Sequence, residues 1–116
     1  MKIRILANTL RIRLTRSEVS RLVKEGQVTE TTSFPTIPLI YAVRQYEGHA
    51  LMVDYADHQI TLNIPISMAE ALHNTQQVGF EDNTGPVSIL IEKDFVCLDN
   101  PREDQHDQYP NPNQRC

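Results

Sequence analysis

The chain reads as an α+β protein, a mainly antiparallel sheet or small barrel of about eight strands with two short helices, and three observations carry that reading. Apolar and polar residues alternate with period two over many short runs, among them Ile3-Arg4-Ile5, Leu10-Arg11-Ile12-Arg13-Leu14 and Ile60-Thr61-Leu62-Asn63-Ile64. Helix-start patterns interrupt them twice, at Thr15 with Glu18 and at Ser67 with Glu70. The order strand, strand, helix, strand, strand then occurs twice, at an offset of fifty residues.

Lys2 to Leu6 and Leu10 to Leu14 form a hairpin, with Ala7-Asn8-Thr9 as its turn and Asn8 as the residue suited to a left-handed conformation. Its apolar positions share one face, so Lys2, Arg4, Arg11 and Arg13 share the other. The helix from Thr15 carries a Val19, Leu22, Val23 stripe and stops at Gly26, where a left-handed cap belongs. Gln27 to Ser33 is extended, Phe34-Pro35-Thr36 breaks it, and Ile37 to Tyr46 is a strand with Ile37, Leu39, Tyr41 and Val43 on one face. Gly48 and His49 turn the chain, Ala50 to Tyr55 goes out, and Ile60 to Ile64 returns. A second helix, capped by Ser67, turns Met68, Ala71 and Leu72 inward. Gln77 to Phe80 is extended, Glu81 to Pro86 is a loop, and Val87 to Lys93 is the last strand, prolonged by Phe95, Val96 and Leu98.

At the offset of fifty, Ile3 and Ile5 fall on Val53 and Tyr55, Leu10, Ile12 and Leu14 on Ile60, Leu62 and Ile64, and Ile37, Leu39 and Tyr41 on Val87, Ile89 and Ile91. Residues 1–98 thus read as one domain, with halves 1–48 and 51–98 packed about a pseudo-twofold axis because neither can bury its sheet face alone, and residues 99–116 read as a polar tail. An evenly spaced single α+β domain would give the same alignment. The halves differ chemically: Arg4, Arg11 and Arg13 stand where the second hairpin has Asp54, Thr61 and Asn63.

A chain of 116 residues, 40% hydrophobic, can bury a core without staples, and no apolar run approaches the roughly 20 residues of a membrane span. The start, Met1-Lys2-Ile3-Arg4-Ile5, lacks the continuous apolar stretch of a signal peptide, and two cysteines are too few for a secreted disulfide framework, so the expected compartment is the cytoplasm. The net charge of -4 hides an asymmetry, because seven of eleven basic residues precede position 26 while Asp94, Asp99, Glu103, Asp104 and Asp107 crowd the end.

Four constellations bear on chemistry. Cys97, His106 and Cys116 offer thiolate and imidazole ligands for zinc, though their spacing lacks paired C-x-x-C knuckles; a Cys97–Cys116 disulfide fits about as well, and two unlinked thiols are the plainer reading. Tyr109, before Pro110, is placed to anchor the tail on the domain, near Phe95, against the alternative of a disordered polar terminus. The Arg4, Arg11, Arg13 face has the geometry of a β-ribbon on nucleic acid, but it lacks aromatic residues for stacking, and a solvated face or one neutralised by the acidic tail is the plainer reading. Glu92 and Asp94 share a strand face, yet no nucleophile stands beside any histidine and no glycine-rich phosphate loop exists, so no catalytic set emerges.

Several segments together resemble a family of small, uncharacterised bacterial proteins, a domain of unknown function. They are Lys2-Ile3-Arg4-Ile5 leading to Leu10-Arg11-Ile12-Arg13-Leu14-Thr15, Gln77-Val78-Gly79-Phe80, and Glu92-Lys93-Asp94-Phe95-Val96-Cys97-Leu98 followed by Glu103-Asp104 and Pro110-Asn111-Pro112. The resemblance implies an intracellular bacterial protein and no activity, cofactor or functional residue.

The expectation is therefore a binding or interaction module with a possible contact face of Arg4, Arg11, Arg13, Phe95 and Tyr109. The alternatives are a zinc protein built on Cys97, His106 and Cys116, or a nucleic-acid binder using the basic hairpin. Homo-oligomerisation stays open through an edge such as Ile37 to Tyr46, which only Pro35, Pro38 and Arg44 guard.

Overall fold

Period-two alternation forms strands wherever it was read, and the two helices interrupt it on schedule. A computed structural model describes residues 1–95 together with Asp107, Tyr109 and Pro110. The elements follow as β1 (Lys2–Leu6), β2 (Thr9–Leu14), α1 (Arg16–Glu25), β3 (Gln27–Thr32), β4 (Leu39–Tyr46), β5 (Met52–Ala56), β6 (Gln59–Pro65), α2 (Ile66–Asn74), β7 (Gly79–Asp82) and β8 (Ser88–Lys93).

The strands do not close into a barrel. They form two open four-stranded sheets, β1-β2-β8-β7 and β3-β4-β6-β5, so the hairpin that starts the chain completes its sheet with the hairpin that ends it. Each sheet is antiparallel in its outer pairs and parallel at its centre, where β2 runs beside β8 and β4 beside β6. The mainly antiparallel expectation holds, with four antiparallel pairs against two parallel ones; the central pairs are parallel because sequence neighbours β2 and β3 sit in different sheets, and α1 makes the crossover. The strand expected as a pairing edge, Ile37 to Tyr46, is central instead: β4 lies between β3 and β6, and Ile37 precedes it, exposed.

One rung of each sheet shows how the core is built. Ile3, Ile12, Ile91 and Phe80 align across the first sheet, and Val53, Leu62, Val43 and Val28 across the second, all on the inward face. These rows join Val19 and Leu22 of α1 and Ala69 and Leu72 of α2 in a single apolar cluster. The fifty-residue offset holds for β1, β2 and the helix starts. Beyond the helices it changes, because Tyr41 and Ile89 take matching places beside Ile60 and Leu10, forty-eight residues apart, and Val28 and Phe80 match at fifty-two. Both slips are of two residues, so every side chain keeps its face.

Three local expectations change. The left-handed residue of the first turn is Ala7, at φ 49, rather than Asn8, whereas the second turn uses Asp57 and His58. The cap of α1 forms as a reciprocal box, with Thr15 and Glu18 each bonding the other's backbone N–H and Gly26 closing the helix at φ 89. By contrast α2 starts at Ile66, straight from β6, and its N-cap Pro65 has no side-chain acceptor; Ser67 lies inside the helix. Finally β8 ends at Lys93, and Val96 and Leu98 fall outside the described residues.

Candidate binding face and tail anchor

Even positions of β1 and odd positions of β2 point away from the core, and antiparallel pairing sets Lys2 opposite Arg13 and Arg4 opposite Arg11. The parallel partner β8 adds Glu92 beside Arg13 and Leu90 beside Arg11, and β7 adds Gly79 and Glu81. The outer face of the first sheet thus carries two full rungs, Lys2-Arg13-Glu92-Gly79 and Arg4-Arg11-Leu90-Glu81. Neither described helix covers this face, since α1 packs on β3 and β4 and α2 on β4 and β6.

Glu92 organises the cations. Its Oε1 accepts from Arg11 Nε at 2.7 Å and Arg13 Nε at 2.9 Å, with Arg11 Nη2 at 2.6 Å. Two guanidinium groups therefore converge on one carboxylate oxygen, and the face keeps a positive excess. Gly79 makes room for this, because a Cβ there would stand 2.5 Å from the Ile91 carbonyl and 2.7 Å from Glu92 Cβ. Arg4 is exposed and, among the described residues, has no ion-pair partner. Between Arg4 and Arg11 on one side and Glu81 and Asn83 on the other lies an open trough of about 470 Å³, with Leu90 in its lining and Leu6, Thr9 and Ser88 at one end. A shallower hollow of about 200 Å³ continues it past Arg13 and Lys2.

The tail anchor sits beyond the Arg13 end of this face. Lys2 Nζ is 3.1 Å from Asp94 Oδ2, and the backbone of Asp94 donates to Leu14 O and accepts from Tyr109 N–H. Tyr109 pairs with Phe95 in a parallel bridge, their rings 5.9 Å apart and tilted by 59°. Lys93 follows Ile89 and Ile91 on the inward row; its Nζ donates to Thr75 O at 2.9 Å and stands 4.9 Å from the Tyr109 ring centre. Burial holds the Lys93 ammonium below its ordinary range and pushes the Tyr109 phenol up. Asp107 binds the first turn of α1: its carbonyl accepts from Arg16 N–H, and its carboxylate accepts from the Ser17 N–H and hydroxyl, which holds the carboxyl below the usual range.

The structure thus brings Arg4, Arg11 and Arg13 together on one surface and Phe95 and Tyr109 together on another, linked through Lys2 and Asp94. Glu92, Leu90 and Glu81 were missed as members of the face. Period two had already put Glu92 on an outward row; its place beside arginines some eighty positions earlier depends on which strands pair. The carboxylates of Glu92 and Asp94 are both committed to cations. Cys97, His106 and Cys116 lie outside the described residues, and among the described ones no three His, Cys, Asp or Glu side chains gather as a metal set. No described helix is long and apolar enough to cross a membrane.

A model of a family of unknown function, DUF7009, matches residues 1–113. No curated protein and no solved structure matches the chain.

Proposed function

Because the chain belongs to the DUF7009 family, whose function is unknown, its role rests on its own residues, and we propose that it is a binding module. Its contact surface is the outer face of the first sheet, and its partner is an acidic polypeptide segment.

The observation that carries this reading is the Arg4-Arg11-Leu90-Glu81 rung over an open trough. It presents two guanidinium groups, an apolar centre and a carboxylate in line, a sequence of chemistries that matches a polypeptide bearing acidic side chains next to an apolar one. A nucleic acid is the poorer fit, since the face has no aromatic residue to stack a base and the chain is acidic overall. On the same reading residues 1–98 are one cytoplasmic domain made of two duplicated ββαββ halves. Only the first half's hairpin has become basic. Asp107 and Tyr109 of the tail that follows are tied to the first turn of α1 and to Asp94 and Phe95, away from the Arg4-Arg11 rung.

The test is binding to immobilised poly-L-glutamate at low salt, beside single-stranded DNA as the competing polyanion. The wild-type chain should be retained by the polypeptide and released as salt rises. Arg4→Gln should abolish most of the retention and leave the fold intact, because Arg4 has no ion pair with another described residue to lose. Indifference to poly-L-glutamate, or stronger retention on DNA, refutes the proposal.

A further inference from the structure

Among the described residues the two sheets have four free edges, and three of them are guarded. β1 carries Lys2 and Arg4, β5 carries Asp54 on its exposed face, and β7 is only four residues long and ends in Glu81 and Asp82. Charges and brevity of this kind keep an edge from pairing with another chain. β3 has neither defence. It runs for six residues, its outer face shows Gln27, Thr29 and Thr31, all exposed and uncharged, and its one charge, Glu30, is on the inward row.

The hydrogen bonds fix which backbone groups this edge offers. Gln45 N–H donates to Gly26 O at 2.8 Å, which puts Gly26 and Gln45 at a hydrogen-bonding position of the ladder, although the Gly26 N–H itself donates to Leu22 O at the end of α1. Antiparallel ladders alternate, so Val28, Glu30 and Thr32 exchange bonds with β4. Gln27, Thr29 and Thr31 therefore direct both N–H and C=O outward.

We infer that β3 pairs antiparallel with β3 of a second copy of this chain, about a twofold axis at Thr29. That register sets Thr29 opposite Thr29 and Gln27 opposite Thr31, giving three exchanging pairs and about six backbone bonds. Each Glu30 then faces a Val28, and no like charges meet. Sliding by two residues drops one pair in either direction, and in one direction it also opposes Glu30 to Glu30, so the register centred on Thr29 is selected. The two second sheets become one continuous eight-stranded sheet. The pairing is independent of the basic face, which belongs to the other sheet.

The test is sedimentation equilibrium and native mass spectrometry of the full chain over a dilution series. The wild type should show a species at twice the 13.3 kDa chain mass that dissociates on dilution. Thr29→Pro removes an N–H that the single chain does not use and puts a ring in the new ladder, a change edge strands tolerate. It should weaken the dimer at least about tenfold with an unchanged circular dichroism spectrum. Should that variant fail to fold, Thr29→Lys brings two ammonium groups together at the axis, and its dimer should be lost at low salt and return in part as salt screens them. A wild type that stays monomeric throughout, or a dimer that survives both substitutions, overturns the inference.

Discussion

Glu92 is the counterion built into the basic face, and replacing it by glutamine should weaken the fold while strengthening the binding. The side chain keeps its shape but loses its charge. In the structure its Oε1 bridges two guanidinium groups, with side-chain exposures of 17% for Glu92, 31% for Arg11 and 38% for Arg13. At such exposure water takes over most of the lost interaction, so the expected cost is about 1 kcal/mol rather than the several of a buried pair. That corresponds to a fall of about 4 °C in Tm for a chain of this size. A partner carboxylate held by the outward nitrogens of Arg4 and Arg11 would stand about 6 Å from Glu92, where like charges repel by about 1 kcal/mol under the nearly aqueous screening of an open surface. Removing that repulsion should tighten binding to poly-L-glutamate about fivefold at low salt, and the gain should vanish near 1 M salt, where the screening length is about 3 Å. Titration by biolayer interferometry at several salt concentrations reads the affinity, and calorimetry reads Tm. If Glu92→Gln weakened or did not change low-salt binding, Glu92 would be orienting the arginines rather than competing with the ligand, and the electrostatic reasoning would fail.

Three further outcomes follow from local geometry. Ala7→Gly should raise stability by about 0.5 kcal/mol in denaturant melts, because relief of about 1–2 kcal/mol of left-handed strain at φ 49 outweighs the added freedom of the unfolded chain. Gly79→Ala should cost about 2–3 kcal/mol in the same melts, because the new methyl meets the Ile91 carbonyl and Glu92 across the β7–β8 pair with no flexible neighbour to yield. Asp107 has its folded-state carboxyl below the ordinary 3.8, so its contribution is complete above that value and is lost as pH falls through the folded-state pKa. The tail should therefore become sensitive to limited proteolysis in acid, and Asp107→Asn should show the same sensitivity at neutral pH; a tail protected in both cases would contradict this account.

Features that depend on neighbours within a few residues were legible in the sequence. Period two placed Arg4, Arg11 and Arg13 on one face, and the Thr15–Glu18 spacing announced a real capping box. The same spacing at Ser67 and Glu70 misled, because a cap needs a chain end to cap. β6 runs into α2 without a break, and Pro65 takes the position that Thr15 holds in the first half. Pairing between distant strands was not legible. Alternation is equally satisfied by one barrel or by two open sheets, and only the pairing of β2 with β8 decides that Arg11 and Arg13 meet Glu92. Lys93 lies between these cases: its row was readable, but the Thr75 carbonyl that receives its ammonium comes from the end of a helix whose position no periodicity reports.

The outer faces of the two sheets suggest how one fold could serve two contacts. In matching registers the apolar inward rungs keep their character, whereas Arg4-Arg11-Leu90-Glu81 in the first sheet stands where the second has Asp54-Thr61-Ala42-Thr29. An inward change costs packing in a shared core, but an outward one costs little, so outward rungs are where two halves of matching topology can differ. At one matched position the first sheet has Glu81, which guards its edge, and the second has Thr29, which leaves its edge open. At the other extreme of the rung both edges are guarded, by Arg4 in the first sheet and by Asp54, of opposite charge, in the second. Thr29→Glu transplants the guard, and it should make the chain monomeric while leaving retention on poly-L-glutamate intact. Arg4→Asp should abolish that retention while leaving the sedimentation profile of the dimer unchanged. Running both variants through both assays separates the contacts: a substitution that moved both readouts together would mean that the two faces are not independent, and that the dimer itself composes the acidic-partner site.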